Sequence, residues 1–201
     1  MTLDGAYSLQ TPEDAKAFYD RWAEGYDAEL SENGYVTPLR CAKALGEHAS
    51  NPWAPLIEVG CGTGLGGAAL TETGFECIDG FDISPDMLAR ASEKNLYRHL
   101  DLLDLSKPIE LDAETYQNAA AIGVLNANQM PTTVLDEVLG LLPSGGCFVL
   151  SLNDHALANG QFETRLLELT EFNVADLVFK EHGAHLPGID LTSSVYVLKK
   201  R

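Results

Sequence analysis

The sequence predicts an α/β fold. The expected form is a Rossmann-like, mostly parallel sheet of seven strands, with helices on both faces, N-terminal lid helices and an antiparallel C-terminal hairpin. Three observations lead there. From Pro55 onward, short apolar runs alternate with segments of helical length, the pattern of βαβ units. The first such run leads straight into "IEVGCGTGLGG", five glycines between Ile57 and Gly67. The last two apolar runs, "ADLVFK" and "SSVYVLKK", have no long helical segment between them, so they pair as a hairpin at one edge. At 201 residues and 45% hydrophobic, the chain supplies one full core. A single domain over 1–201 is expected, with lid helices in 1–50 and the sheet core in 54–201.

The elements follow in order. Thr11 is an N-cap with Pro12 at the first helical turn and acids behind it, opening a helix that runs through Leu30. Tyr19, Trp22 and Tyr26 recur at i, i+3, i+7 on one of its faces. That face either packs aromatics onto the domain or closes over a site, and Gly25 permits a bend within it. Thr37 and Pro38 repeat the start signal for a second helix, through "LRCAKALGEHA", before "NPWAP" breaks the chain. Strand one spans Pro55 to Val59, and the small-residue helix after the glycine loop ends at Gly74. Strand two is "FECIDGFD"; Ser84 and Pro85 then cap a helix through "DMLARASEK". Strand three is "YRHLD", strand four Ala119 to Val124, and a helix from Pro131 to Leu139 stops at Gly140. "PSGG" turns into strand five, "CFVLSL", and a further helix covers Phe162 to Glu171.

Composition narrows the partners. Thirteen basic against thirty acidic residues give a net charge of −17, which makes bare nucleic acid or an anionic membrane a poor partner. The acidity either serves solubility or a salty setting, or attracts a cationic substrate. No apolar run reaches membrane-spanning length, and "MTLDGAYSLQ" has neither the basic nor the apolar part of a leader. Cys41, Cys61, Cys77 and Cys147 lack zinc-like or framework spacing, so free thiols in a reducing cytoplasm are expected.

In such a sheet a ligand binds outside the carboxyl ends of the strands, where strand order reverses. Glycines there let the backbone come close to the ligand, and N–H groups at the helix start can meet negative charge. Asp82 ends strand two, 20 residues after Gly62, where an acid can hold both ribose hydroxyls. Two ligand classes fit. Gly62, Gly64 and Gly67 read as the G-x-G-x-x-G of a nicotinamide dinucleotide site. Gly60, Gly62 and Gly64 read as G-x-G-x-G with Glu58 two residues ahead. An acid at that place sits badly beside a pyrophosphate and well beside a ligand with a positive group and no phosphate.

The chain resembles the class I S-adenosylmethionine-dependent methyltransferases from about Phe18 to Leu198. "LIEVGCGTGLGG", "GFDISPDMLARA", "YRHLDLLD" and "LLPSGGCFVLSL" carry the resemblance together. "FYDRWAEGYDAEL", "GYVTP" and "IGVLNANQMP" are most similar to the small methyltransferase-like proteins of the Williams–Beuren-region type. The resemblance implies S-adenosylmethionine as cofactor. Gly60, Cys61, Gly62, Thr63 and Gly64 would pass under its methionine part, and Glu58 would orient the loop and sense the amino group. Asp82 would hold the ribose, with Ile83 and Met87 on the adenine. Asp101 would accept from the adenine amino group and Leu102 would offer its backbone N–H. Gly123 and Val124 would lie beside the methionine part, and Tyr26 would reach the cofactor from the lid.

The acceptor is expected to be a small molecule, near Tyr19, Asn126, Gln129 and His155, with Asn128 and Asp154 close by. A histidine often stands at Gln129 in the relatives, so a shared acid–base step is in doubt and no catalytic residue is assigned. "H-x-x-H" at His182 and His185, with Glu181 and Asp190 near, is read as a loop facing substrate, and no metal is expected. Two other functions stay open: a NAD-linked oxidoreductase, and a non-catalytic cofactor-binding module on the same fold. Oligomeric state is not legible.

Overall fold

The computed structural model describes residues 3–7, 9 and 11–201; the stretch read above for a leader lies partly outside them. A short helix α1 (Leu3–Tyr7) precedes α2 (Pro12–Glu32) and α3 (Thr37–His48). The alternating part is β1 (Leu56–Val59), α4 (Leu65–Glu72), β2 (Ile78–Asp82), α5 (Pro85–Glu93), β3 (His99–Leu102), β4 (Asn118–Ala121), α6 (Val134–Gly140) and β5 (Cys147–Asn153). Then come α7 (Asp154–Ala158), α8 (Gln161–Glu171) and the hairpin β6 (Ala175–Leu186) and β7 (Leu191–Lys200). The seven strands run in the order β3-β2-β1-β4-β5-β7-β6, parallel up to β5, with β7 antiparallel to both neighbours. The predicted fold class is the observed one.

Alternation of side chains sorts the core onto two faces. Ile57, Val59, Ala119, Ala121, Phe148 and Leu150 meet α6 and α8 on one face. Leu56, Ile78, Ala120, Ile122 and Val149 meet α3 and α4 on the other. Ile57, Phe148 and Leu150 are wholly buried, each contributing ~1.5–3 kcal/mol relative to exposure. A third cluster, Phe18, Trp22 and Leu30 with Leu186, docks α2 against the far end of β6.

Several boundaries differ from expectation. Strand two starts at Ile78, not Phe75, and strand four ends at Ala121. Gly123 takes a left-handed φ of 69°, which takes the chain out of extended geometry. The Thr11 cap forms as expected, its hydroxyl accepting from the Asp14 N–H at 3.1 Å. Thr37 does not cap α3. It lies inside the helix, where its hydroxyl meets His185 Nδ1 at 2.8 Å and Ser193 Oγ at 3.0 Å. Gly25 does not interrupt the helix: α2 continues through it to Glu32. His182 and His185 belong to β6 rather than to a loop, and no group of three or more metal-ligating side chains forms among the described residues.

Candidate functional site

Strand order reverses between β1 and β4. Beyond the carboxyl ends of these strands lies a cleft whose empty space, including the part open to solvent, is about 880 Å³. The glycine loop forms one side of it with Glu58, Gly60, Cys61, Gly62, Thr63 and Gly66. Asp82, Ile83 and Met87 follow from the β2–α5 turn, and Leu103, Asp104, Leu105 and Ser106 from beyond β3. Ile122, Gly123, Val124, Gln129 and Met130 face them from beyond β4. Tyr19 and Tyr26 of α2, with Tyr35 and Pro38, close the remaining side.

The glycines are explained mostly by the protein itself. A β-carbon on Gly60 would sit 2.2 Å from Val124 Cγ2, one on Gly66 1.8 Å from Glu58 Oε1, and one on Gly67 2.4 Å from the Tyr97 hydroxyl. Gly62, at φ 54°, is different: a β-carbon there meets nothing within 4 Å. Of the loop, it is at Gly62 that a bare backbone faces open space. The loop's N–H groups also turn inward. Gly60 and Cys61 donate to the Phe81 carbonyl, Gly64 to that of Cys61, and Gly62 to Asp82 Oδ2 at 2.8 Å. Four of the loop's N–H groups are therefore engaged within the protein, ahead of the helix start at Leu65.

Asp82 is a fixed acceptor. Its second oxygen accepts the Ser84 N–H at 2.9 Å, so two backbone donors set the plane of the carboxylate. Burial pushes its pKa upward, against the pull of those N–H groups. Glu58 is only 1% exposed. Burial raises its pKa to about 8, opposed by the Tyr97 hydroxyl, which donates to Oε2 at 2.8 Å. Partial burial acts to raise Asp104, but hydrogen bonds from Lys107 and Ser106 hold it below the usual carboxylate range. Three carboxylates thus border the cleft, and among the described residues no lysine or arginine does. With four of the loop amides already engaged, the lining suits a ligand carrying positive charge and hydroxyls. It does not suit the pyrophosphate of a dinucleotide.

Helix α2 is fastened over the cleft at two places one heptad apart. Asp20 accepts from Ser84 Oγ at 2.6 Å, at the cap of α5. Asp27 accepts from the Thr63 hydroxyl and from Lys94 Nζ, the latter at 2.7 Å, while Lys94 also donates to the Thr63 carbonyl at 2.6 Å. Tyr19 and Tyr26, each one residue ahead of a fastening aspartate, face the cleft, and Trp22 turns away to give its indole N–H to Glu29 at 2.8 Å. The i, i+3, i+7 stripe therefore serves both purposes its spacing allowed.

Of the residues expected at the cofactor, Tyr26, Glu58, Gly60, Cys61, Gly62, Thr63, Asp82, Ile83, Met87, Gly123 and Val124 line this one cleft. Gly64 lies just behind it, against Tyr97. Asp101 and Leu102 do not line it. Both are exposed on the edge strand, and the Leu102 N–H is taken by Asp101 Oδ1 at 2.8 Å. Their places are filled by Asp104 and Leu105, the second acid–leucine pair of "DLLD". Of the residues expected at the acceptor, Tyr19 and Gln129 line the cleft; Asn126 and His155 do not. His155 is exposed on α7, and Asn126 Oδ1 accepts the Asn128 N–H at 3.0 Å to shape its own turn. Asp154 is spent on Thr192, accepting from its N–H and hydroxyl at 2.9 and 2.7 Å. His185 is buried against Thr37, and burial lowers its pKa to about 4. Sequence reasoning singled out none of Tyr97, Tyr35 and Asp27, although "YRHLDLLD", "GYVTP" and "FYDRWAEGYDAEL" contain them, because nothing local says which side chain of these segments turns to the site.

Residues 57–148 match the family described as "Methyltransferase domain". "Methyltransferase-like protein 27" of Homo sapiens is 34% identical over 131 residues, which is 64% of this chain and 54% of that protein. The 18S rRNA (guanine(1575)-N(7))-methyltransferase of Saccharomyces cerevisiae is 35% identical over 74 residues, 37% of this chain and 27% of that one. The chain thus spans about half the human protein's length and about a quarter of the yeast one's. Among solved structures, the magnesium protoporphyrin IX methyltransferase of Synechocystis with bound SAH superposes with a TM-score of 0.68 at 16% identity, covering 98% of this chain and 97% of that one. Sheet order, cleft and matched segment agree: the chain has the Rossmann-like fold of these methyltransferases, and its residues 57–148 match a methyltransferase domain.

Proposed function

We propose that the chain transfers a methyl group from S-adenosylmethionine to a small-molecule acceptor held in the same cleft. The observation that carries this reading is the lining itself: three carboxylates, no cation among the described residues, and Asp82 held rigid at the end of β2. When bound, the cofactor supplies a methyl group already activated on a sulfonium. The chain's residues bind and align. Asp82 would accept from the ribose hydroxyls, and Gly62 would let the methionine part lie on bare backbone. Ile83, Met87 and Leu105 would give the adenine an apolar bed, with Asp104 beside it. Glu58 would face the amino group.

The acceptor would sit between the lid tyrosines and the wall of Gln129 and Met130, in line with the methyl group. Helix α2 and Tyr35 would exclude water there. No histidine lines the cleft among the described residues, and the Gln129 amide can orient a group without taking its proton. An acceptor whose nucleophilic atom carries no proton to be removed fits best. A small molecule suits the site better than a nucleic acid, because the chain carries −17 and the cleft borders offer no cation to a phosphate backbone. Four free thiols, three of them buried, fit a reducing cytoplasm.

The test is calorimetry with Asp82→Ala. Two charge-assisted hydrogen bonds to the ribose, at ~1.5–3 kcal/mol each, predict an affinity loss of roughly 100-fold or more. Unchanged S-adenosylmethionine affinity would remove this placement, and thermal stabilisation by NAD(H) instead would favour an oxidoreductase.

A further inference from the structure

Tyr97 lies between α5 and β3, at the head of "YRHLDLLD", and its side chain runs under the glycine loop. A β-carbon on Gly67 would lie 2.4 Å from its hydroxyl, and one on Gly80 2.8 Å from its ring. The hydroxyl donates to Glu58 Oε2 at 2.8 Å. Glu58 borders the cleft although it is 1% exposed. The titratable groups that act on it from neighbouring elements are Tyr97, Asp82 at the end of β2, Cys61 in the loop and Cys41 on α3. Each is neutral or negative. A carboxylate placed there would have one hydroxyl donor, a neighbouring carboxylate and no cation, so the carboxylic acid is the stable form until a cation arrives.

We propose that Tyr97 is a positioning residue that holds the Glu58 carboxyl under the cofactor loop, and that capture of a cationic cofactor drives one proton off Glu58. The inference rests on the cleft being the S-adenosylmethionine site. The balance is direct. The ligand brings the positive charge, the O–H bond of Glu58 breaks, the proton passes to solvent, and the carboxylate stays with Tyr97 still donating to it. Burial sets the acid's pKa at about 8 in the free protein. Affinity therefore rises with pH by up to ~10-fold per unit below that value, until the cofactor's own α-amino group, ordinarily titrating at about 8, begins to lose its proton.

The experiment is calorimetric titration of the full chain with S-adenosylmethionine at neutral pH, in phosphate and in Tris. The dependence of heat on buffer ionisation enthalpy counts the protons exchanged. The native chain is expected to release roughly 0.7–0.9 proton, because a group titrating near 8 is mostly protonated at pH 7. Glu58→Gln, of the same shape, should release close to none. Tyr97→Phe keeps the ring against the glycines but removes the donor. It should weaken binding by ~10-fold, as loss of a hydrogen bond to a charged group does. It should also move the pH window of proton release upward, which a purely space-filling tyrosine would not do. Binding without proton exchange, or an unmoved window in Tyr97→Phe, would overturn the inference and leave the cofactor assignment standing. Absence of both binding heat and thermal stabilisation at every pH would remove the assignment, and the inference with it.

Discussion

Two glycines two residues apart should fail in opposite ways when given a side chain. In Gly60→Ala the new methyl would lie 2.2 Å from Val124 Cγ2 and 2.5 Å from its Cβ, and the backbone φ is 70°. Rotation of Val124 cannot relieve a contact made by its own Cβ. A left-handed alanine costs ~1–2 kcal/mol and overpacking a further ~1–3 kcal/mol. The destabilisation is thus about 2–5 kcal/mol, and a central ~3.5 kcal/mol lowers the melting temperature by ~7–14 °C. In Gly62→Ala the φ of 54° costs a similar ~1–2 kcal/mol, but the methyl enters open space and adds no clash. That open space is the cleft, so Gly62→Ala should lose cofactor affinity by ~10-fold or more while melting close to the native chain. Denaturant unfolding and calorimetry on the same preparations measure both quantities. The double variant Gly60→Ala/Val124→Gly, which removes the Cβ as well as the γ carbons, should recover ~1–3 kcal/mol relative to the sum of the single changes. A Gly60→Ala chain as stable as the native one, or a Gly62→Ala chain with native affinity, would refute the assignment of these glycines to packing and to ligand approach.

Two further outcomes follow from the geometry. Asp104→Ala should weaken S-adenosylmethionine binding by ~10-fold while Asp101→Ala leaves it unchanged, since only Asp104 borders the cleft; calorimetry of the two variants decides it. His185 is buried with a pKa of about 4, below its ordinary 6.5. Between those values the unfolded chain binds the extra proton, so stability is lost as pH falls from about 6.5 to about 4, by up to ~3 kcal/mol. Chemical denaturation of the native chain and His185→Gln across that range should show the native chain losing more, the comparison cancelling the opposite slope contributed by Glu58.

What could be read from the sequence was what local chemistry writes down. The sheet was legible because "LIEV", "IDGFD" and "CFVLSL" are short buried runs separated by capped helices, and caps such as Ser84–Pro85 act within a few residues. The Gly62–Asp82 register was legible because both sit at strand ends of a single βαβ unit. Asp101 misled because "DLLD" offers two acid–leucine pairs. Choosing between them requires knowing that β3 is an edge strand ending at Leu102, beyond which the chain turns over the cleft. The strand assigned to "H-x-x-H" was hidden by its polarity, since an exposed edge such as β6 needs no apolar alternation to be held by β7. Tyr97, Asp27 and Tyr35 were invisible for a further reason. Their partners lie 39 residues away for Tyr97 and 36 for Asp27, at distances the fold sets and no spacing rule encodes.

Asp20 and Asp27 bolt a single helix to two separate turns, and each turn cradles a different part of the same cleft. A ligand leaving on that side of the cleft would have to pass the crossbar, and lifting the helix breaks both contacts. One of the bolts, the Asp27–Lys94 pair, is partly open to water, where dissolved salt reaches it and leaves the sheltered chemistry alone.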